Sequence, residues 1–237
     1  MVQECSIHAP NANRIGWYND GPLRLLRPIV VVCVLAVVVG SAPPADAQEP
    51  PPPIPRFVVD LRATVTSFPV NSNLAFSRGL NQSELPGRGL GGDVAAHVYP
   101  FKYRAVTFGI GGRMASSRAH MSEVEASGLR PVTERFTYLG PQLSFNFGTG
   151  VGWSYISGGI AAATWSVVPV GAIAQPPDEE RLKTIDYGGG ARWFAKPRLA
   201  FSFDVRFYAI NPSSPAAGLP SGPRTTLLVI GAGISLK

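Results

Sequence analysis

Beyond residue 55 the chain reads as eight segments in which apolar and polar residues alternate with a period of two, as in a β-strand with one apolar and one polar face. The predicted strands are about 56–67, 90–99, 105–116, 134–147, 151–165, 183–195, 199–210 and 224–236. Joints alternate strictly between short and long. Those after the second, fourth and sixth strands are tight (Pro100 to Arg104, Gly148 to Gly150, Lys196 with Pro197); the other four are long and rich in Pro, Gly, Ser and Asn. This wiring predicts an all-β fold, an eight-stranded antiparallel up-and-down transmembrane β-barrel with short periplasmic turns and four long outer loops. Closure leaves no strand edge, as hydrocarbon requires, because backbone N–H and C=O groups find no water there.

The faces follow from the cost of charge in lipid. In the first strand Phe57, Val59, Leu61, Ala63 and Val65 alternate with Val58, Asp60, Arg62, Thr64 and Thr66, and the seventh repeats the arrangement around Asp204 and Arg206. An arginine facing lipid at mid-membrane costs about 2–4 kcal/mol, so the polar faces must look inward. Applied to every strand, the rule gathers Asp60, Arg62, Asp93, His97, Arg113, Asp186, Arg192, Asp204 and Arg206 inside. Four Asp meet four Arg, a balanced set that reads as a structural plug, since eight strands enclose only enough room for side chains. A polar path for ions is the alternative. His97 has no second ligand at a metal-binding spacing and is expected as a partner of Asp93 or of a tyrosine.

Aromatic residues are expected to mark the water interfaces. Phe57, Tyr99, Phe101, Tyr103, Phe147, Trp153, Trp193 and Phe201 fall at the periplasmic ends, and Phe136, Trp165 and Phe207 at the other. Two strands resist the pattern. In the fourth, Phe136 and Tyr138 have one parity and Leu143, Phe145 and Phe147 the other, with Gly140-Pro141 between, which predicts a bulge that resets the face. The fifth has small residues on both faces, so its register stays open.

Ahead of the strands, Arg24 and Arg27 precede an apolar core, Ile29 to Val39, and a stretch ending Ala45-Asp46-Ala47. This predicts a signal peptide over 1–47 and a mature start near Gln48. The apolar run is short for a membrane span, though an uncleaved anchor is an alternative. The many residues before Arg24 fit either a start codon set too far upstream or a long bacterial signal. Cys5 and Cys33 precede the cut, so the mature chain is expected to hold no thiol, disulfide or cysteine metal site. Residues 48–55, QEPPPPIP, are predicted to be an extended periplasmic linker, because proline fixes φ and lacks a donor. Net charge is +6, with basic residues scattered and no Lys/Arg run. Attraction to outer-membrane lipid and lipopolysaccharide phosphate therefore fits better than nucleic acid, beside the plain alternative of solvated charge.

Chemistry is sparse. Gly87 to Gly92 fits G-x-G-x-x-G, but a strand pattern follows it where a nucleotide site needs a helix. His120, Ser122 and Glu134 could meet at a barrel mouth as a His/Ser/carboxylate set, and they are expected to lie apart, with His120 on an outer loop. No cofactor or catalytic residue is predicted.

The run Asp186-Tyr187-Gly188-Gly189-Gly190-Ala191-Arg192-Trp193-Phe194, turning into Phe203-Asp204-Val205-Arg206-Phe207-Tyr208, resembles bacterial outer-membrane β-barrels of the small OmpA-like and opacity-type surface proteins, as does Tyr138-Leu139-Gly140-Pro141. The resemblance covers about 56–237 and implies an outer-membrane location, insertion by the outer-membrane machinery, and binding of an extracellular ligand through the loops. Two departures stand out. The chain ends Ile234-Ser235-Leu236-Lys237 rather than on an aromatic residue, and no peptidoglycan-binding domain is expected after the barrel. The penultimate strand, Arg206-Phe207-Tyr208-Ala209-Ile210-Asn211, lacks the His and Ser of the lipid A deacylase branch. The reading is a non-enzymatic surface barrel with a structural or adhesive role; a lipid hydrolase, a small channel and a soluble lipocalin-like barrel are the rivals. The mature protein is expected to need detergent for extraction and to have lost residues 1–47, which intact-mass measurement on the membrane fraction checks. Monodisperse protein from soluble periplasm would favour the lipocalin.

Overall fold

The computed structural model describes residues 50–121, 128–216 and 218–237. The expected signal segment, Cys5, Cys33, Gln48, Glu49 and Ser122 lie outside the described residues. Strands β1 (Phe57–Ser67), β2 (Arg88–Tyr103), β3 (Val106–Met121), β4 (Val132–Thr149), β5 (Gly152–Pro169), β6 (Leu182–Lys196), β7 (Leu199–Ile210) and β8 (Thr225–Leu236) pair antiparallel in sequence order. Strand β8 returns to β1 from Val59↔Leu236 to Ser67↔Leu228, so the barrel is closed. One end carries three tight hairpins, closed by Tyr103↔Val106, Thr149↔Gly152 and Lys196↔Leu199. Arg104 takes a φ of 54°, the left-handed backbone that tight hairpin turns demand.

Strand lengths depart from the sequence reading at the other, long-loop end. Strand β3 runs on to Met121, β4 starts at Val132, and β5 continues to Pro169. Outward positions there are polar (Ser116, Arg118, His120) while inward ones are small (Ala115, Ser117, Ala119). The contrast that marks a strand by hydropathy fades, yet the β3–β4 ladder holds through Met121↔Val132. Strand β2 likewise passes through the expected turn at Pro100 and ends at Tyr103.

The bulge expected at Gly140-Pro141 is absent. Burial alternates strictly through β4, with Phe136, Tyr138, Gly140, Gln142, Ser144 and Asn146 inside. The β4–β5 ladder is interrupted between Leu139↔Ala162 and Leu143↔Gly158 and resumes in the same register, so Pro141 opens a gap in pairing without inserting a residue. Parity looked broken because the interior near Phe136 is aromatic. Gly140 permits this: a Cβ there would stand 2.6 Å from the Tyr138 hydroxyl oxygen. The register shifts of the sheet fall instead near the tight turns, at Phe194/Lys196 in the β6–β7 pair and at Val98/Phe101, around Pro100, where the missing donor coincides with the extra residue. Pairing with both neighbours places Trp153, Tyr155, Ser157, Ala163 and Trp165 of β5 inward, the register left open from sequence.

Four residues expected in aromatic girdles are corrected to the lumen: Tyr99, Trp153, Phe136 and Trp165 are all buried. Phe57, Phe101, Tyr103, Phe147, Trp193 and Phe201 do face outward at the tight-turn end. Inside that end, Val58, Tyr99 and Trp153 pack with Ile54 and Phe194. The proline segment is pinned beneath them rather than hanging free, with Gly150 N–H donating to Pro52 O at 2.6 Å. At the opposite end the loop between β1 and β2 forms helix α1 (Ser72–Ser77), capped by Asn71, and a 3₁₀ turn (Gln82–Glu84). Its Leu74, Leu80 and Leu85 turn into the mouth of the barrel and pack against Phe136, Trp165 and Leu227. Both ends of the lumen are closed by apolar side chains. Phe136, edge-on to Tyr208 with ring centroids 4.9 Å apart, sits at the centre of the second closure. Phe136→Ala is expected to cost about 3–5 kcal/mol, as for buried aromatics, read by urea unfolding of vesicle-reconstituted protein.

Candidate functional site

Inward alternation on separate strands brings eight charges into one continuous, sign-alternating chain through the middle of the lumen. In order it runs Arg192, Asp60, Arg62, Asp93, Arg113, Asp204, Arg206, Asp186. Successive N···O distances are 2.6, 2.8, 3.1, 2.7, 3.0, 3.1 and 2.7 Å, and every side chain is buried. Interior arginines carry the far side of their charge against polar or aromatic groups. Arg206 donates to Ser157 at 2.6 Å, and the Arg192 guanidinium lies 4.1 Å from the Tyr155 ring centroid. Arg113 grips Asp204 with two nitrogens, at 3.0 and 3.1 Å, in the fork geometry that makes such pairs strong.

His97, expected in the same set, is buried in the lumen but apart from the chain. Asp93 is taken by Arg62 and Arg113, and neither His97 ring nitrogen hydrogen-bonds a described protein group. Several partners escaped the sequence reading. Tyr155 donates to Asp204 at 2.5 Å, Gln142 to Asp186 at 2.5 Å, and the Tyr138 hydroxyl and Ser235 close on Asp186 and Asp60. The inward parity of Tyr138 extends to Gln142, a signal hidden by the supposed bulge. The closed β5 register was needed to find Tyr155.

The outer loops are tied to one another by a second group of ion pairs. Arg78 of the first loop reaches Asp178, in helix α2 (Pro176–Glu179) of the third, at 3.0 Å, and Ser213 of the fourth at 3.3 Å. Glu84 accepts from the Arg130 side chain at 3.0 Å and from the backbone N–H of Asn81 and Arg130 at 2.7 and 3.0 Å. The Arg130 side-chain hydrogen bond, opposed by burial and helped by these amides, holds the Glu84 carboxyl at about 2, below its ordinary 4.5. The Arg130 side chain is 52% exposed, so water screens the Coulombic share of the pair.

The catalytic-looking set does not assemble. His120 lies on β3 rather than on a loop, faces outward, and has Nδ1 3.2 Å from Thr133 Oγ1. Glu134 faces the lumen and accepts from Trp165 Nε1 at 2.7 Å. The barrel wall separates the two. Gly87 to Gly92 runs into β2, with no helix after it.

Against solved structures, the chain is similar to Neisserial surface protein A, with a TM-score of 0.51 and 11% identity over 77% of this chain and 97% of that one. It also matches Ail of Yersinia pestis, solved with the heparin analogue sucrose octasulfate (TM-score 0.44, 12% identity, 76% and 97% covered), and OprG of Pseudomonas aeruginosa (0.44, 9%, 78% and 97%). No family model matches, and no curated protein does. At 11% identity the likeness shows the fold alone, here an eight-stranded antiparallel closed barrel.

Asp204→Ala leaves both Arg113 and Arg206 without their shared partner, and is expected to cost about 3–5 kcal/mol in urea unfolding. For Glu84, a depressed folded pKa means its contribution is complete above about 4.5 and is lost as pH falls through about 2. Hydrogen-exchange protection of the Asn81 and Arg130 amides should therefore persist from pH 7 to 4.5 and vanish near 2, whereas Glu84→Gln should weaken it at neutral pH.

Proposed function

We propose that this is an exported outer-membrane barrel of a Gram-negative-type bacterium, with a side-chain-filled lumen and a non-catalytic, structural or adhesive role carried by its outer loops. One observation carries the reading: the protein is inside out. Among the described residues every strand carboxylate (Asp60, Asp93, Glu134, Asp186, Asp204) is buried in the lumen, while Leu61, Leu90, Val94, Ile110, Leu139 and Leu143 stand exposed around the wall. An apolar surface of that extent is at odds with a water-soluble lipocalin-like barrel and suits hydrocarbon.

The lumenal chain serves as a structural plug. Its charges sit against each other with apolar closures above and below, an arrangement that supports a filled interior over an ion path. Residues 1–47 would supply export, and the outer-membrane machinery insertion. The proposed kinship is with small surface barrels at large; the OmpA-like and opacity-type likeness rests on the short motifs around Arg192 and Arg206. Knitted loops suit ligand binding better than a floppy fringe, because little ordering entropy remains to be lost. An extracellular ligand would find a cleft of about 300 Å³ between Arg78, Arg130, Val167, Ala172 and Leu219.

Membrane fractionation tests the location: the protein should travel with outer membrane and show heat-modifiable migration on a gel. Purified wild type in planar bilayers is expected to give no steady large conductance; a stable open channel would overturn the plug.

A further inference from the structure

Charge on the outside of the barrel is segregated by sign. Among the described residues no strand carries an outward carboxylate, whereas Arg118, Arg135 and Lys183 face outward near the long-loop end, and Arg181 is exposed just before β6. Registers stack these side chains in rows across β3, β4 and β5. Met114, Leu139 and Ala162 form an apolar row; Ser116, Thr137 and Thr164 form a hydroxyl row above it; Arg118, Arg135 and Ser166 form the next. Arg118 and Arg135 are directly opposed across the β3–β4 pair. Like charges so placed repel unless an anion lies between them.

The wall is dented at the same place. A groove of about 320 Å³ runs beside Arg118, Thr133, Arg135 and Ser166, and a second of about 260 Å³ lies in the neighbouring rows, along Val94, Met114, Thr137, Leu139 and Arg181. Cationic and hydroxyl groups over an apolar trough match an amphiphile, with its anion above and its chain below. The rows repeat about every 7 Å along a strand, so the guanidinium row stands two rows, about 14 Å along the strand, beyond the apolar row.

We propose that Arg118 and Arg135, with Arg181 at the lower edge, bind the phosphate of a phosphorylated lipid in the surrounding leaflet, whose acyl chain lies in the trough along Met114 and Leu139. The proposal rests on the membrane reading above and names a ligand class for its outer rim. Arginine suits phosphate because its planar fork grips the oxygens in pairs, and at lipid headgroups each cation adds measurably to binding. Extended β3 and β4 also acquire a purpose, since they carry the guanidiniums beyond the apolar band.

The test uses detergent-solubilised full chain titrated with bis-phosphorylated lipid A and followed by native mass spectrometry. Wild type should retain bound lipid, and the double substitution Arg118→Gln with Arg135→Gln should weaken retention about 30-fold, the loss expected of two headgroup charge contacts. Enzymatically dephosphorylated lipid A should bind wild type no better than intact lipid A binds the double variant. Inorganic phosphate at millimolar concentration should not displace the lipid, since it cannot fill the trough; displacement would replace the lipid site with a simple anion site. Arg118→Lys with Arg135→Lys should recover most of the retention, and Lys102→Gln with Lys196→Gln, at the opposite end, should change nothing. Equal retention by wild type and the double glutamine variant would overturn the proposal. Binding in detergent is independent of where the protein resides in a cell, so failure here is distinct from failure of the fractionation experiment.

Discussion

The alternating chain of arginine and aspartate through the lumen is the interaction on which the rest depends. Every charge between the two ends of the chain is shared: Asp60, Asp93 and Asp204 each join two guanidiniums, and Arg62, Arg113 and Arg206 each join two carboxylates. A one-residue slip of β1, β2, β3, β6 or β7 would carry its charge to the apolar exterior, which in the proposed membrane setting costs kilocalories, and would leave its partners unpaired inside. The network thereby selects register and closure together. Its net contribution to stability is a different matter, because dehydrating eight charges offsets much of their mutual attraction.

Closure at the two ends isolates this polar middle. Trp153, Tyr99 and Val58 cover it on one side, aided by Ile54 from the proline segment, and the leucines of the first loop cover it on the other. Coulombic interactions strengthen where water is excluded, so the apolar ends and the ionic middle support one another. The same loop is anchored through Arg78 to Asp178 and through Glu84 to Arg130. A surface built in this way has a defined shape.

The exterior follows the opposite logic. In the proposed membrane setting apolar rows would meet hydrocarbon, with the hydroxyl row at its edge and the guanidiniums above them. The proline at position 141 lies outward within the apolar zone, where its missing donor interrupts one ladder, while Pro100 lies at the bulge of β2. Two prolines in strands thus have different structural consequences. One coincides with an extra residue and the other does not.

Fold class, strand number and wiring were legible from alternation and joint length, and the face of each of the nine candidate residues from alternation with the cost of charge in lipid. Period-two patterning and the cost of charge in lipid act on each strand separately, so Asp60 and Arg206 could be oriented without knowing their neighbours. Pairing is different. That Arg113 reaches Asp204 across 91 positions of sequence, that Tyr155 serves Asp204, and that Asp93 binds arginines rather than His97 depend on registers set by closure of the whole sheet. The same holds for Tyr99, Trp153, Phe136 and Trp165, whose place inside rather than at the rim was decided by which face each strand turned inward. Alternation assigned side chains to faces; only the closed barrel, by bringing distant strands to bonding distance, assigned them to one another.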